Sequence, residues 1–283
     1  MTTDHHHDDD RLDRGLAFDI GHLMNRRRAL VLFAGAGAGV ALAACGSDDP
    51  EATTSSSSTS TTTTAATAEE SGTPAGAIPN ETAGPYPGDG SNGPDVLLES
   101  GIVRSDITAS FGSSTTVAVG VPLTVTLTVT DSDTGDALPG HAVYLWHCDR
   151  EGRYSMYSEG VEGENYLRGV QEADDDGKVT FTSIFPAAYA GRWPHIHFEV
   201  YESLDLATSS GAITATSQLA FPQDVCETVY ATDGYEQSID NLAGVSLESD
   251  GIFSDGYDTQ LAAMSGSVSG GYTAELTVPV TAT

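Results

Sequence analysis

Two histidines separated by a single residue lie in a segment typical of a β-strand. His195 and His197 begin the run His195–Tyr201 (HIHFEVY), which is rich in aromatic and β-branched residues. Successive strand side chains point to opposite faces, so both imidazoles leave the same face of the sheet. Two neighbouring imidazoles supply half of a metal site. A purely structural pair has the same spacing, so the histidines alone leave both interpretations open.

Two tyrosines precede these histidines in loop sequences. Tyr189 lies in the Pro-, Ala- and Gly-rich segment FPAAYAGRWP, from which its phenol could fold back over the histidines. Tyr154 lies in a second loop, EGRYS, just after a strand that ends near His147. Taken separately, each tyrosine is more simply interpreted as a core or rim residue than as a ligand.

The elements that must hold these side chains are mostly short strands. Turn clusters rich in Asp, Gly and Pro separate them, and the sequence has no βαβ rhythm and no internal repeat. This pattern predicts an all-β fold, a β-sandwich. We predict strands over Leu123–Val129, Ala142–Trp146, Lys178–Ile184, His195–Tyr201, Ile213–Phe221 and Thr273–Val278, with a short helical turn over Val225–Tyr230. Pro279 is expected to stop the last strand.

Several blocks, taken in order, resemble the intradiol ring-cleavage dioxygenases, the family of the protocatechuate and catechol dioxygenases. The blocks are Thr82–Tyr86 (TAGPY), Leu138–Ser155 (LPG, WH and GRYS), Tyr166–Gln171 (YLRGVQ) and Ile184–His197 (IFPAAYAGRWPHIH). Together they cover most of residues 80–222, and their spaced combination is specific although each piece is not. The resemblance implies a β-sandwich of this family's core type with long active-site loops.

The resemblance also implies a cofactor, one Fe(3+) per chain. Its ligands by motif are Tyr154, Tyr189, His195 and His197. The chemistry agrees, because an ordinary phenol has a pKa near 10 and phenolate ligation at neutral pH requires a strong Lewis acid beside it. Zinc or ferrous iron more usually takes thiolate, imidazole and carboxylate ligands. Ferric iron is therefore the expected metal.

By the same resemblance, the substrates are a small aromatic diol of the catechol type and O2, and cleavage between the two hydroxylated carbons gives a muconate-type product. Tyr189 is expected to leave the metal when the diol binds and to accept a proton. Arg192 is expected to bind substrate and stabilise developing negative charge. Gln218 matches a glutamine near the oxygen-binding side. Tyr86 is expected at the pocket mouth, although a packing role explains it equally well.

Two other functions remain open from the residues alone. One is a non-catalytic surface β-sandwich that binds a ligand, because LPG-type strand sequences also occur in such modules. The other is a lipoprotein that binds iron or an iron–catechol chelate, which would use the same ligands without consuming oxygen. Oxygen uptake separates these from an enzyme. For the enzyme, a neutral catechol suits this very acidic chain better than a carboxylated diol.

The first 74 residues predict export to the cell surface. Residues 1–44 combine the run Arg26–Arg28 with an apolar stretch shorter than the roughly 20 residues that span a bilayer, as in a twin-arginine signal. The stretch ends at Cys45 in a sequence that resembles a lipobox, so Cys45 is expected to be lipidated. Residues 45–74 are dominated by Ser and Thr and predict a disordered tether. Residues 75–283 form the predicted domain, outside the cytoplasm and anchored at the cell surface.

The net charge and the cysteines indicate which partners and which covalent bonds to expect. The 283 residues carry 41 acidic against 11 basic side chains, a net charge of -30, which excludes nucleic-acid partners and leaves the lipid as the only membrane contact. Beyond Cys45, the two remaining cysteines are Cys148 and Cys226. In an oxidising compartment we expect a disulfide between them, the alternative being two buried thiols. The sequence does not indicate an oligomeric state.

Overall fold

The structure, a computed structural model, describes residues 76–282. Within them, two four-stranded sheets pack into a β-sandwich, which confirms the predicted fold class. The strands are β1 Pro122–Asp131, β2 Ala142–Trp146, β3 Arg168–Glu172, β4 Lys178–Ile184, β5 His195–Tyr201, β6 Ala215–Ala220, β7 Ala263–Ser267 and β8 Gly271–Val280. The helices are α1 Leu204–Ala207, α2 Gln223–Tyr230 and α3 Glu236–Ala243, followed by a 3-10 turn at Phe253–Asp255.

The first sheet has the order β4-β1-β8-β7 and packs one face against the core. Strand β1 shows why: its Leu and Val side chains are buried while the intervening Thr side chains are partly exposed. This period-two alternation is typical of a strand with one solvated face. Strands β1 and β8 run parallel, whereas the pairs β1–β4 and β7–β8 are antiparallel.

The second sheet has the order β3-β2-β5-β6 and is antiparallel throughout. Every residue of β2 and β5 is buried, so this sheet is covered on both faces. Its register sets Trp146 of β2 opposite His197 of β5, and Gln218 of β6 opposite the same histidine. The second sheet therefore carries the predicted site residues on its central strands.

The strands with strong alternation lie where the sequence predicts them. Strands β2, β4 and β5 have the predicted bounds, and the predicted helical turn is part of α2. The prediction that Pro279 stops the last strand is wrong, because β8 continues through it. Strand β7 pairs only with the first part of β8, so the outer edge is open at Pro279, whose carbonyl instead accepts from Ile78 N. On that edge the missing N–H of a proline breaks no ladder bond.

The predicted disulfide between Cys148 and Cys226 is not formed. Both cysteines are free, buried thiols. The Cys148 thiol donates weakly to the carbonyl of Ala187, 3.7 Å away, while Cys226 lies on α2 against the hydroxyl of Tyr230. Burial raises the pKa of both thiols, which disfavours the thiolate that disulfide formation requires. The alternative of two separate buried thiols therefore describes the structure.

The export signal over residues 1–44, the lipidation of Cys45 and the tether over residues 45–74 lie outside the described residues. Among the helices of residues 76–282, none combines the length and apolar character needed to cross a bilayer.

Candidate metal centre

The two histidines of β5 face each other at the centre of the site. The Nε2 atoms of His195 and His197 lie 3.1 Å apart, and each side chain is only 2% exposed. Trp146, the register partner of His197, stacks on its ring with a centroid distance of 5.0 Å and an interplanar angle of 5°. Strand pairing and stacking therefore hold the ring of His197 in a fixed orientation.

The hydrogen bonds of His195 leave it a lone pair that could bind a metal. The Nδ1 atom of His195 lies 2.6 Å from the carbonyl oxygen of Trp193, which can only accept a hydrogen bond. The hydrogen-bond pattern thus assigns the proton of the neutral ring to Nδ1 and leaves a lone pair on Nε2. Burial is the main cause that lowers the pKa of both histidines well below its usual value. Neutral rings are the form that binds metals.

Tyr189 approaches the same point from the loop between β4 and β5. Its hydroxyl lies 3.1 Å from Nε2 of His195, and its ring meets the imidazole edge-on. Gly152, with φ of +83°, packs against Tyr189, because a Cβ at position 152 would stand 3.4 Å from the Cβ of Tyr189. Tyr189 is half-buried, whereas the two histidines are fully buried. It is therefore on the solvent side of the cluster.

Tyr154 closes the cluster from the loop after β2. Its ring lies edge-on to Tyr189 at 6.0 Å and to His197 at 6.3 Å between centroids. The side chain is 2% exposed, yet its hydroxyl has no well-aligned hydrogen-bond partner. Burial, followed by the neighbouring Tyr189, raises the pKa of Tyr154 well above its usual value. A buried phenol without a partner is costly unless something else engages its oxygen.

The donor set fits a hard, highly charged cation. Two neutral imidazole nitrogens and two phenol oxygens meet here, and a trivalent ion would supply the opposite charge that a buried phenolate requires. In residues 76–282, no group of three or more His, Cys, Asp or Glu side chains is arranged to hold a metal. The structure brings the four predicted ligands together, with the two phenol oxygens next to the two imidazole nitrogens.

Arg192 lies beside the cluster in a buried ion pair. Its Nε donates to Oδ2 of Asp250 at 3.0 Å, and its Nη2 donates to Oε1 of Gln218 at 2.6 Å. The guanidinium also interacts electrostatically with the phenols of Tyr189 and Tyr154. Arg192 is 1% exposed and Asp250 is 0% exposed. The structure therefore places the predicted arginine and glutamine side by side next to the tyrosines.

The segment Thr82–Pro87 packs over His197 and Tyr154. The carbonyl of Thr82 accepts from Nε2 of Gln218 at 3.0 Å, and Gly84 lies against the ring of His197. The ring of Tyr86 packs on that of Tyr154, with centroids 4.9 Å apart. Tyr86 is half-buried, which fits a place at a pocket mouth and a packing role equally well.

Two functional neighbours were not predicted as site residues. Arg168 is fully buried and binds the carbonyls of Tyr86 and Pro87 and the hydroxyl of Ser155, so it ties the covering segment to the loop of Tyr154. Its place in the YLRGVQ block was the available indication. Asp250 lies outside every recognisable block, and no sequence pattern pointed to it.

Comparison with known proteins identifies the family and the fold of this chain. Residues 93–233, about half of the chain, match a family model described as Dioxygenase. An intradiol ring-cleavage dioxygenase from Tetranychus urticae superposes with a TM-score of 0.56 at 25% identity, covering 72% of this chain and 93% of that one. A second dioxygenase crystal structure has a TM-score of 0.58 at 23% identity, covering 73% and 95%. The chain therefore belongs to the family of the intradiol ring-cleavage dioxygenases, whose β-sandwich fold it has.

Proposed function

We propose that this protein is a non-haem ferric dioxygenase that cleaves a catechol-type ring between its two hydroxylated carbons and gives a muconate-type product. Tyr154, Tyr189, His195 and His197 would hold one Fe(3+) per chain. The substrates would be a small aromatic diol and O2, both oxygen atoms entering the product.

One observation carries the proposal. Nε2 of His195 lies 3.1 Å from Nε2 of His197 and 3.1 Å from the hydroxyl of Tyr189, and the hydroxyl of Tyr154 is buried beside them without a well-aligned partner. Buried polar atoms normally find partners. A structural core would pair these four groups separately, whereas a metal site needs them aimed at a common point.

A ferric ion bound there would supply the Lewis acidity that activates a diol toward dioxygen. Tyr189 is the only half-exposed member of the four, so it is the side chain that can move aside when a diol enters. Tyr189 would bind the ion as a phenolate, so once it has moved aside its oxygen can accept a proton from the diol and become a neutral phenol. Arg192, whose Nη2 is held by Gln218, would stabilise negative charge that develops on the diol oxygens.

The charges around the site favour a neutral catechol over a carboxylated diol. Arg192 is neutralised by Asp250, and Arg153 is ion-paired with Asp149 at 2.8 Å. Arg168 directs its donors to backbone carbonyls and hydroxyls within the protein. A ring carboxylate would therefore meet no free partner among these three arginines, and leaving a buried charge unpaired is costly.

The cellular placement is part of the proposal and rests on sequence. Residues 1–44 would direct export, and Cys45 would carry the lipid that anchors the domain of residues 75–283 outside the cytoplasm. The Ser- and Thr-rich tether would hold that domain away from the membrane. Release of the protein from intact cells by a protease acting on the tether would test this placement.

The experiment that tests the function is a visible absorption spectrum of the purified full chain with iron quantified in the same sample. We expect a red-brown tyrosinate-to-iron band, one iron per chain, and a changed band when catechol is added without oxygen. Oxygen uptake with incorporation of both labelled atoms from 18O2 into the product would follow. A protein that stays colourless after ferric reconstitution would refute the ligand set, and iron binding without oxygen uptake would identify an iron-binding lipoprotein instead.

A further inference from the structure

We propose that Asp250 is the positioning residue of this site: it orients Arg192 against the tyrosine–histidine cluster and, through Trp193, steadies His195. This inference rests on the proposed function for the role of Arg192. Asp250 lies between α3 and the 3-10 turn, beyond residues 93–233 that match the family model.

The carboxylate of Asp250 is itself fixed by four hydrogen bonds. Its Oδ1 accepts from the backbone N–H groups of Ile252 at 2.8 Å and Phe253 at 3.2 Å. Its Oδ2 accepts from Nε of Arg192 at 3.0 Å and from the backbone N–H of Trp193 at 2.7 Å. The two oxygens therefore have different roles, because Oδ1 anchors the group to its own turn and Oδ2 holds the site.

Two contacts at different nitrogens set the plane of the Arg192 guanidinium. Asp250 accepts from Nε, while Oε1 of Gln218 accepts from Nη2. A free arginine side chain has several rotatable bonds, and the donors of a planar guanidinium are useful only in one orientation. The ring of Phe253, from the same turn as Asp250, lies with its centroid 6.0 Å from Cζ of Arg192. The turn thus supports the guanidinium by charge and by packing.

The same oxygen also reaches the histidines. Trp193 donates its N–H to Asp250, and its carbonyl accepts the Nδ1 proton of His195. The orientation of an imidazole that binds metal depends on the partner of its other nitrogen. Asp250 therefore fixes both the peptide that orients His195 and the guanidinium that faces Tyr189 and Tyr154.

Asparagine at this position cannot replace the carboxylate. An amide has one carbonyl oxygen, so it can serve either the turn donors or the Arg192 and Trp193 donors, and its NH2 group opposes the other pair. Asp131 offers a matched control: its Oδ1 likewise accepts from two backbone N–H groups, at positions 133 and 134, in an exposed turn after β1. Asp131→Asn changes the same kind of turn without touching Arg192.

The first readout needs no metal. In the metal-free full chain labelled with 15N-arginine, the Nε–H of Arg192 is assigned by its disappearance in Arg192→Met. We expect this proton to exchange slowly with solvent in wild type and Asp131→Asn, and roughly tenfold or more faster in Asp250→Asn, because the ion pair that buries it is lost. Unchanged protection in Asp250→Asn would overturn the proposal.

The second readout uses the iron-loaded enzyme. Asp250→Asn should lower kcat roughly 10- to 100-fold with a smaller change in KM, because a misplaced charge-stabilising donor acts mainly on the transition state. Because Asp250 also acts on His195 through Trp193, the double variant with Arg192→Met should be only slightly slower than Arg192→Met alone. Losses that multiply in full would show that Asp250 does not act through Arg192 and would overturn the proposal. Should Asp250→Asn fail to fold, Asp250→Glu keeps the charge but displaces the carboxylate. We expect it to retain slow Nε–H exchange and to lower kcat, and a wild-type kcat in Asp250→Glu would count against positioning.

Absence of oxygen uptake in wild type refutes the proposed function instead, and the exchange measurement still decides whether Asp250 holds Arg192.

Discussion

Gly84 lies against the ring of His197: a Cβ at this position would stand 3.3 Å from Cε1 and 3.7 Å from Nε2 of the imidazole. The ring cannot easily yield, because it is buried and stacked on Trp146. Gly84 also has φ of +71°, a left-handed conformation that other residues adopt at a cost. The segment Thr82–Pro87 therefore packs directly against His197, a proposed iron ligand, and does so because Gly84 has no side chain.

Gly84→Ala should weaken iron binding. The new methyl group must move either the segment or His197, and an imidazole displaced by a few tenths of an ångström no longer aims Nε2 at the cluster. We expect a roughly tenfold or larger loss of ferric affinity, measured by competition with a chelator.

Gly112→Ala is the control for Gly84→Ala. Gly112 has a similar φ of +76°, but a Cβ there meets nothing within 4 Å. Both variants should lose about 1–2 kcal/mol of stability from the left-handed backbone, and only Gly84→Ala should lose iron affinity. Equal iron affinity in the two variants would show that the contact with His197 does not matter.

Tyr154→Phe should separate stability from metal binding. The buried hydroxyl of Tyr154 has no well-aligned partner, so its removal from the metal-free protein loses no good hydrogen bond and should leave the free energy of unfolding unchanged or raised. Without that oxygen, ferric binding and the tyrosinate absorption band should be strongly reduced. Urea unfolding of the metal-free chain and a ferric titration followed by absorbance measure the two effects.

Tyr235→Phe should behave in the opposite way. The hydroxyl of Tyr235 donates to the carbonyl of Phe185 at 2.7 Å and accepts from the backbone N–H of Val121 at 3.1 Å. Its removal leaves buried groups unpaired and should cost about 1–3 kcal/mol of stability, with iron binding intact. A Tyr154→Phe protein that unfolds more easily and binds iron normally would contradict the assignment of Tyr154 as a ligand.

The burial of Cys148 and Cys226 predicts that thiol reagents will modify them only after the protein is unfolded. Cys148 is 1% exposed and Cys226 is 0% exposed, and burial raises the pKa of each, so neither should react with a thiol reagent in the native protein. After denaturation without a reductant, both should be alkylated and detected by mass spectrometry. A peptide pair joined by a Cys148–Cys226 bond would show that the thiols are oxidised in solution.

The sequence predicts the strands whose own residues carry the signal. Strands β2, β4 and β5 have β-branched and aromatic runs bounded by turn residues, and their predicted bounds match the structure. Strand β3, Arg168–Glu172, was not predicted, because RGVQE has a single β-branched residue and becomes a strand only by pairing with β2. Strand propensity is weak where tertiary pairing decides.

Among the site residues, too, some can be predicted from the sequence and others cannot. The four proposed ligands lie within motifs of the sequence, so their proximity could be anticipated from the family's pattern. The support of Arg192 could not be, because Asp250 lies 58 residues further along the chain in a turn without a distinctive pattern. A contact between distant segments depends on how the whole chain packs, so the local spacing of residues does not predict it.

Glu81 makes the stability of the domain depend on pH. Burial, followed by the charge of Asp255, raises the pKa of Glu81 from 4.5 to about 7. Between these values the unfolded chain has released the proton while the folded chain still binds it, so the free energy of unfolding falls as pH rises through this window. The contribution is complete below the unfolded pKa and is lost above about pH 7.

Glu81→Gln should therefore stabilise the protein selectively at alkaline pH. The amide is neutral at every pH, so the variant avoids the cost of ionising a half-buried carboxyl beside Asp255. A shift of one pKa unit corresponds to about 1.4 kcal/mol, and partial exposure reduces the effect, so we expect a gain of about 1–2 kcal/mol near pH 8 and little change near pH 4.5. Urea unfolding at both pH values measures it. Glu202→Gln, at an exposed position, should change neither value, and an equal gain for Glu81→Gln at both pH values would show that the carboxyl does not titrate in this window.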